Sequence, residues 1–132
     1  TEPLTGLPVI FLSRGAAEAV FVDESVSSVK LVRENLARCG FSARVEQAEA
    51  LSFLERGGKF DLVFLDPPYD SGLLDAALQK IQNIDILNDG GIIVCESRRE
   101  KAVKSLLEPY RLLSERNYGK IKITVYGKRA NT

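Results

Sequence analysis

Four consecutive residues, Asp66, Pro67, Pro68 and Tyr69, directly follow the apolar run Phe60–Leu65 (FDLVFL). Proline has no N–H and a fixed φ, so two in a row stiffen the backbone. They also leave carbonyl oxygens without helical partners. Asp66 adds a carboxylate acceptor. The corner is therefore rich in acceptors and suits a donor such as an exocyclic NH2 group. Tyr69 offers a flat face on which a base can stack, a contact worth about 1–3 kcal/mol. Such a corner can hold a planar amine and draw electron density toward its nitrogen, which is catalysis by positioning rather than by proton relay. The same residues also suit a capped turn that opens a helix, and corner chemistry alone leaves both readings open.

The chain contains no histidine, which excludes a His-based triad and a His-ligated zinc. Its two cysteines, Cys39 and Cys95, are far apart and lack metal spacing. Both are expected as free thiols in a reducing cytosol, and no metal is expected. Eighteen basic residues balance eighteen acidic ones, without the basic excess usual for nucleic-acid binding. No apolar run approaches the ~20 residues of a membrane helix, and Thr1 to Pro8 does not read as a secretory leader. The chain does not begin with Met, and its true N-terminus is expected upstream of Thr1. At 132 residues the chain is expected to form one domain.

The elements that must position the corner alternate in type. Ala17–Val22 reads as a short buried strand ending at Asp23. Ser25–Cys39 reads as a helix, with Val26, Val29, Val32 and Leu36 at helical spacing. Ser25 is placed to cap its start and Gly40 to close its end. Ala43–Gln47 is a weaker strand, and Ala50–Glu55 a short helix. Phe60–Leu65 is nearly continuous apolar, as in a central strand covered on both faces. Ser71–Ile81 repeats the amphipathic helix, Asn88–Gly91 is a turn, and Ile92–Cys95 is another buried strand. Glu100–Leu107 reads as a third helix, stopped by Pro109. Arg111–Tyr118 and Lys120–Gly127 form a hairpin around Gly119. This order predicts a doubly wound, mostly parallel sheet with helices on both faces and a C-terminal antiparallel hairpin.

Ligands of such sheets bind at the carboxyl ends of the strands. Asp23, Glu49, Asp66 to Tyr69, and Glu96 with Ser97 would share that rim. Asp23 suits a pair of ribose hydroxyls, or a helix cap. Glu49 suits a ligand contact, or simply a solvated first turn. Glu96 acquires no role from the sequence. Arg98, Arg99 and Lys101 cluster nearby and suit phosphate, or the solvated start of a helix.

The corner, placed after an apolar strand, resembles motif IV of S-adenosylmethionine-dependent amino-methyltransferases. More closely, FLSRGAAEAVFVDES, VRENL, FDLVFLDPPY, GGIIVCE and ERNYGKIKITVY resemble the RsmD family, from Leu12 to Tyr126. That resemblance implies a Rossmann-like class I methyltransferase acting on the exocyclic N2 amine of a guanine in 16S rRNA. It implies S-adenosyl-L-methionine as cofactor, and 16S rRNA or a small-subunit particle as partner. A cytoplasmic monomer is expected. By the resemblance, Asp66 and the Pro67 carbonyl accept the target amine, and Pro68 and Tyr69 receive the base. Asp23 holds the cofactor ribose, Glu49 with Ala50 meets the adenine, and Asp66 borders the cofactor. The family carries Asp-Ala where this chain has Glu49-Ala50, so the acid is one methylene longer.

A larger departure lies near residues 9–11. The family has a glycine-rich loop after its first strand. Here Leu4–Ile10 resembles the lead-in and first strand, while Phe11–Ala16 resembles the end of the helix after the loop. The loop and most of that helix are expected to be missing between them, as is a basic N-terminal arm. Two other functions carry over as alternatives. One is DNA adenine-N6 methylation, disfavoured because no target-recognition region is visible. The other is a degenerate, non-catalytic RNA-binding domain, supported by the missing loop.

Overall fold

The structure is a computed structural model; it describes residues 10–14, 18–23, 26–39, 44–56, 58–67 and 72–130. One seven-stranded sheet organises these residues. Its strands are β1 (Ile10–Arg14), β2 (Glu18–Asp23), β3 (Arg44–Gln47), β4 (Phe60–Leu65), β5 (Leu87–Arg98), β6 (Tyr110–Tyr118) and β7 (Ile121–Lys128). They lie side by side in the order β3-β2-β1-β4-β5-β7-β6. Helix α1 (Val26–Cys39) joins β2 to β3, α2 (Ala50–Leu54) precedes β4, and α3 (Leu73–Ile84) joins β4 to β5. The expected strand Phe60–Leu65 has those bounds. The strand expected at Ile92–Cys95 is longer and absorbs the Asn88–Gly91 turn, where Gly90 takes φ 80°. The proposed caps Ser25 and Gly40 lie outside the described residues.

The sheet is more mixed than the sequence suggests. β2 pairs with β3, and β4 with β5, in parallel. β1 runs antiparallel to both its neighbours, β2 and β4, and the β5–β7–β6 pairings are antiparallel as expected. Three residues separate β1 from β2. A parallel neighbour requires a crossover of a dozen or more residues, whereas two to five suffice for an antiparallel one. Ile10–Arg14 therefore enters the central slot in reverse. The expectation that Phe11–Ala16 ends a helix is corrected accordingly, since Phe11–Arg14 is strand.

Alternation along the strands sorts side chains to two faces. On one face Val63, Leu65, Ile93, Cys95 and Tyr126 are buried, in one core with Leu74, Leu78 and Ile81 of α3. On the other, Leu62, Phe64, Ile92, Val94, Ile123 and Val125 remain half-buried. The buried face also takes the polar residues of β7, Lys122 and Thr124. Lys122 is tolerated because its ammonium pairs with Glu115 at 3.1 Å and donates to the Lys101 carbonyl at 2.6 Å.

The helix expected over Glu100–Leu107 is absent; residues 102–107 carry no regular structure. Lys122 takes the Lys101 carbonyl, and the Tyr126 hydroxyl donates to the Lys104 carbonyl at 2.6 Å. Gln82 accepts the Leu107 N–H. Side chains of β7 and α3 thus bind backbone groups that a helix would pair internally. Val103 and Leu106 still pack against the core. Their spacing signalled burial correctly but not conformation.

Candidate active site

β2, β3, β4 and β5 point the same way, so their carboxyl ends form one rim. β2 ends on Asp23, level with Gln47 of β3, and Glu49 lies two residues beyond. Leu65 of β4 is level with Cys95 of β5. Asp66 and Glu96 are each the next residue, which brings two carboxylates together on adjacent strands about 4.8 Å apart. Between β2 and β4 the reversed β1 presents Ile10 at the rim, paired with Val22 and Leu65.

Asp66 is half-buried and Pro67 is buried. Loss of water pushes the Asp66 carboxyl up to about 6, and the charge of Glu96 adds to the effect. Among the described residues no cation pairs with either acid. The result is a desolvated, charge-rich acceptor beside a proline that removes a competing donor. Pro68 and Tyr69 lie outside the described residues, so the stacking platform expected of Tyr69 is not placed.

Glu49 caps α2. Its carboxylate accepts the Ser52 N–H at 3.0 Å, the Ser52 hydroxyl at 2.9 Å and the Leu51 N–H at 3.3 Å. These bonds, the Ser52 N–H first, hold its carboxyl below the usual range. An ionised carboxylate offers about four lone-pair sites. Three are engaged here, which leaves room for one further donor such as an adenine amine. Ala50, the next residue, is buried at the first turn.

The donors and acceptors suit an S-adenosylmethionine molecule in part. Along the rim Glu49 with Ala50 (past β3), the end of β2 at Asp23, and Asp66 (past β4) follow in that order, as adenine, ribose and transferred methyl would need. The methionine end is different. The described residues include no glycine-rich turn after β1, and the strand's carboxyl end, Arg14, faces the opposite rim.

Glu96, placed on the rim by the sequence but given no role, is the residue whose part in the site the sequence did not supply. A signal existed: in FDLVFLD and GIIVCE an acid follows an apolar strand at the same point, and parallel pairing makes those points neighbours. Arg99, read from sequence as a phosphate contact or a solvated helix start, has a structural partner as well. Its backbone N–H donates to the Lys120 carbonyl at 3.0 Å and its guanidinium to the Gly119 carbonyl at 3.2 Å, so it grips the β6–β7 turn. Lys101, grouped with it in sequence, instead pairs with Asp75 at 3.0 Å. Cys95 is free and buried, and burial pushes its thiol up to about 12, too high for a nucleophile at neutral pH. No group of three metal-ligating side chains occurs among the described residues, and none of their helices is long and apolar enough to cross a membrane.

This arrangement, acids at the carboxyl ends of a sheet in the order 3-2-1-4-5-7-6, is the fold of the class I methyltransferases, which use S-adenosyl-L-methionine. The family described as "Conserved hypothetical protein 95" matches residues 6–127. The chain belongs to that family, which is the RsmD family. It is 31% identical over 130 residues to the "Putative rRNA methyltransferase YlbH" of Bacillus subtilis (strain 168), covering 94% of this chain and 71% of that one. It is 30% identical over 122 residues to the "Ribosomal RNA small subunit methyltransferase D" of Escherichia coli (strain K12), covering 90% of this chain and 61% of the relative. The solved structure titled "Putative methyltransferase yhhF from Escherichia coli" superposes with a TM-score of 0.76 at 28% identity, covering 88% of this chain and 65% of that one.

Proposed function

We propose that the chain is a single methyltransferase domain, residues 1–132, that methylates the exocyclic N2 amine of a guanine in 16S rRNA. The observation that carries this is the Asp66–Pro67 corner, a half-buried carboxylate with a raised pKa beside Glu96 at the carboxyl end of β4. Bound S-adenosylmethionine would supply an electrophilic methyl group. The Asp66 carboxylate and the Pro67 carbonyl would accept the two hydrogens of the amine and aim its lone pair at that methyl. A desolvated carboxylate is a strong acceptor in this setting and can take up the proton released from nitrogen. Asp23 would hold ribose hydroxyls, and Glu49 with Ala50 the adenine. Tyr69 and Pro68 would receive the guanine after it leaves its stack, at a cost of a few kcal/mol. The partner is the 16S rRNA or the small-subunit particle, met by a monomer in the cytoplasm.

The reversed β1 favours a second reading. A domain without the loop that cradles methionine would bind RNA but not transfer methyl groups. Two measurements separate the readings. Calorimetric titration with S-adenosylmethionine should show binding, and labelled methyl should enter small-subunit particles but not duplex DNA. Wild-type transfer should fall at least a hundredfold in Asp66→Ala with cofactor binding retained. Absence of cofactor binding leaves the non-catalytic reading; transfer by Asp66→Ala at the wild-type rate removes Asp66 from its role.

A further inference from the structure

We infer that the tip of the β5–β7–β6 wing is a docking surface for single-stranded RNA on one side of the target base. This rests on the methyltransferase reading for its RNA, but on separate residues for its evidence. β5, β7 and β6 rise past the end of β4: Cys95 is level with Leu65, yet β5 continues to Arg98, which pairs with Ile121, and Ile121 pairs with Tyr118. The wing therefore stands about 7–10 Å above the corner at a rise of ~3.3 Å per residue. Directly opposed residues of antiparallel strands share a face. Two rows follow on one face: Glu96, Ile123 and Arg116, and above them Arg98, Ile121 and Tyr118. The lower row begins beside Asp66. Tyr118 lies three strands from β4, about 14 Å across at ~4.8 Å per strand.

The chemistry of this tip is that of a single-strand binder. Tyr118 is 57% exposed, so its ring offers an open face on which a base can stack. Arg98, Arg99, Arg116 and Lys120 are exposed around it. Of the acids near this tip, Glu115 is on the other face with Lys122, Glu100 adjoins Arg99, and Glu96 lies on the same face one row below, at the corner. Arg99 ties the end of β5 to the turn through the Gly119 and Lys120 carbonyls, so the tip is held in place before any ligand arrives. Gly119 takes φ 61°, which keeps the turn tight. The zero net charge conceals the polarity of the whole. Leu87–Thr132 holds ten Lys and Arg against five Asp and Glu, and Thr1–Ile86 holds eight against thirteen. The basic segment forms the wing; Lys101, Lys122, Lys128 and Arg129 are paired with Asp75, Glu115, Asp85 and Glu108, while Arg98, Arg99, Arg116 and Lys120 are the cations exposed at the tip, where phosphates would be met.

The test is fluorescence anisotropy of a labelled 12-nucleotide single-stranded RNA with the full chain, across a salt series. Tyr118→Ala should weaken binding about tenfold, and Tyr118→Phe should not. Arg99→Ala and Lys120→Ala should weaken it for all sequences and lower the salt slope by about one each. The Lys120 side chain has no hydrogen-bond partner among the described residues, so Lys120→Ala remains decisive even if Arg99→Ala loosens the turn. Arg38→Ala, on α1 at the other end of the sheet, should change nothing. Wild-type affinity in Tyr118→Ala and Lys120→Ala, an equal loss in Arg38→Ala, or no binding by the wild type overturns the surface. Methyl transfer is read in parallel with Asp66→Ala. If that variant keeps transferring while the tip variants lose RNA, the methyltransferase reading fails and the surface stands. If Asp66→Ala is inactive while the tip variants bind normally, the reverse holds.

Discussion

Asp66→Asn should make the protein more stable and inactive at once. The carboxyl is raised from 3.8 to about 6, chiefly by burial. A folded pKa above the unfolded one means that the fold prefers the protonated group. The carboxylate therefore costs stability, fully above about pH 6 and not at all below about 3.8. Two pKa units correspond to about 3 kcal/mol at ~1.4 kcal/mol each. Asp66 keeps part of its surface in water, so screening reduces this to about 1–2 kcal/mol. Asn has the same shape and no charge. In urea unfolding at pH 8, Asp66→Asn should exceed wild type by about 1–2 kcal/mol, roughly 5 °C in Tm for a domain of this size. The gain should shrink between pH 6 and 4 and vanish below. Methyl transfer should fall at least a hundredfold, because an amide presents one acceptor and two donors to an amine. A variant no more stable than wild type at pH 8, or a gain that ignores pH, would refute the claim of a desolvated carboxylate.

Two further substitutions address the rim. Glu96→Gln removes the smaller cause of the Asp66 shift, so the acid limb of the methyl-transfer pH profile should move down from about 6 while staying above 3.8; an unmoved limb separates the two carboxylates. Glu49→Ala should cost about 1 kcal/mol in denaturant unfolding through loss of the α2 cap, whereas Glu49→Asp, also a good N-cap residue, should retain most of that stability. If adenine also meets this acid, calorimetry should show weaker S-adenosylmethionine binding in Glu49→Ala; equal affinity confines Glu49 to capping.

What the sequence disclosed was local. Phe60–Leu65 announced β4 by its composition, and Asp66–Pro67 by the change that follows it. Alternation in Ile121–Tyr126 announced β7. The features missed depend on neighbours remote in the chain. Glu96 matters only because β4 and β5 pair with Leu65 beside Cys95. Residues 102–107 have the spacing of a helix, but Lys122 and Tyr126 claim the Lys101 and Lys104 carbonyls from about twenty residues away. The missing loop and helix near residues 9–11 were legible, and with them the want of a crossover to a parallel neighbour. That the strand would still occupy the slot, reversed, was not, because an antiparallel ladder satisfies the same backbone groups.

That reversal bears on how the sheet assembles. A parallel central strand must wait for a long loop to close before any ladder bond rewards it. β1 and β2, three residues apart, can pair as a local unit on the microsecond scale of hairpins. β3 must then wait for α1, and β4 must find β1 across more than forty residues. The middle of the sheet thus gains an early, local nucleus, and the slow steps shift to joining β4 and the wing beyond it. Amide hydrogen exchange during refolding would show this order as protection of Leu12 and Val20 ahead of Val63 and Ile93.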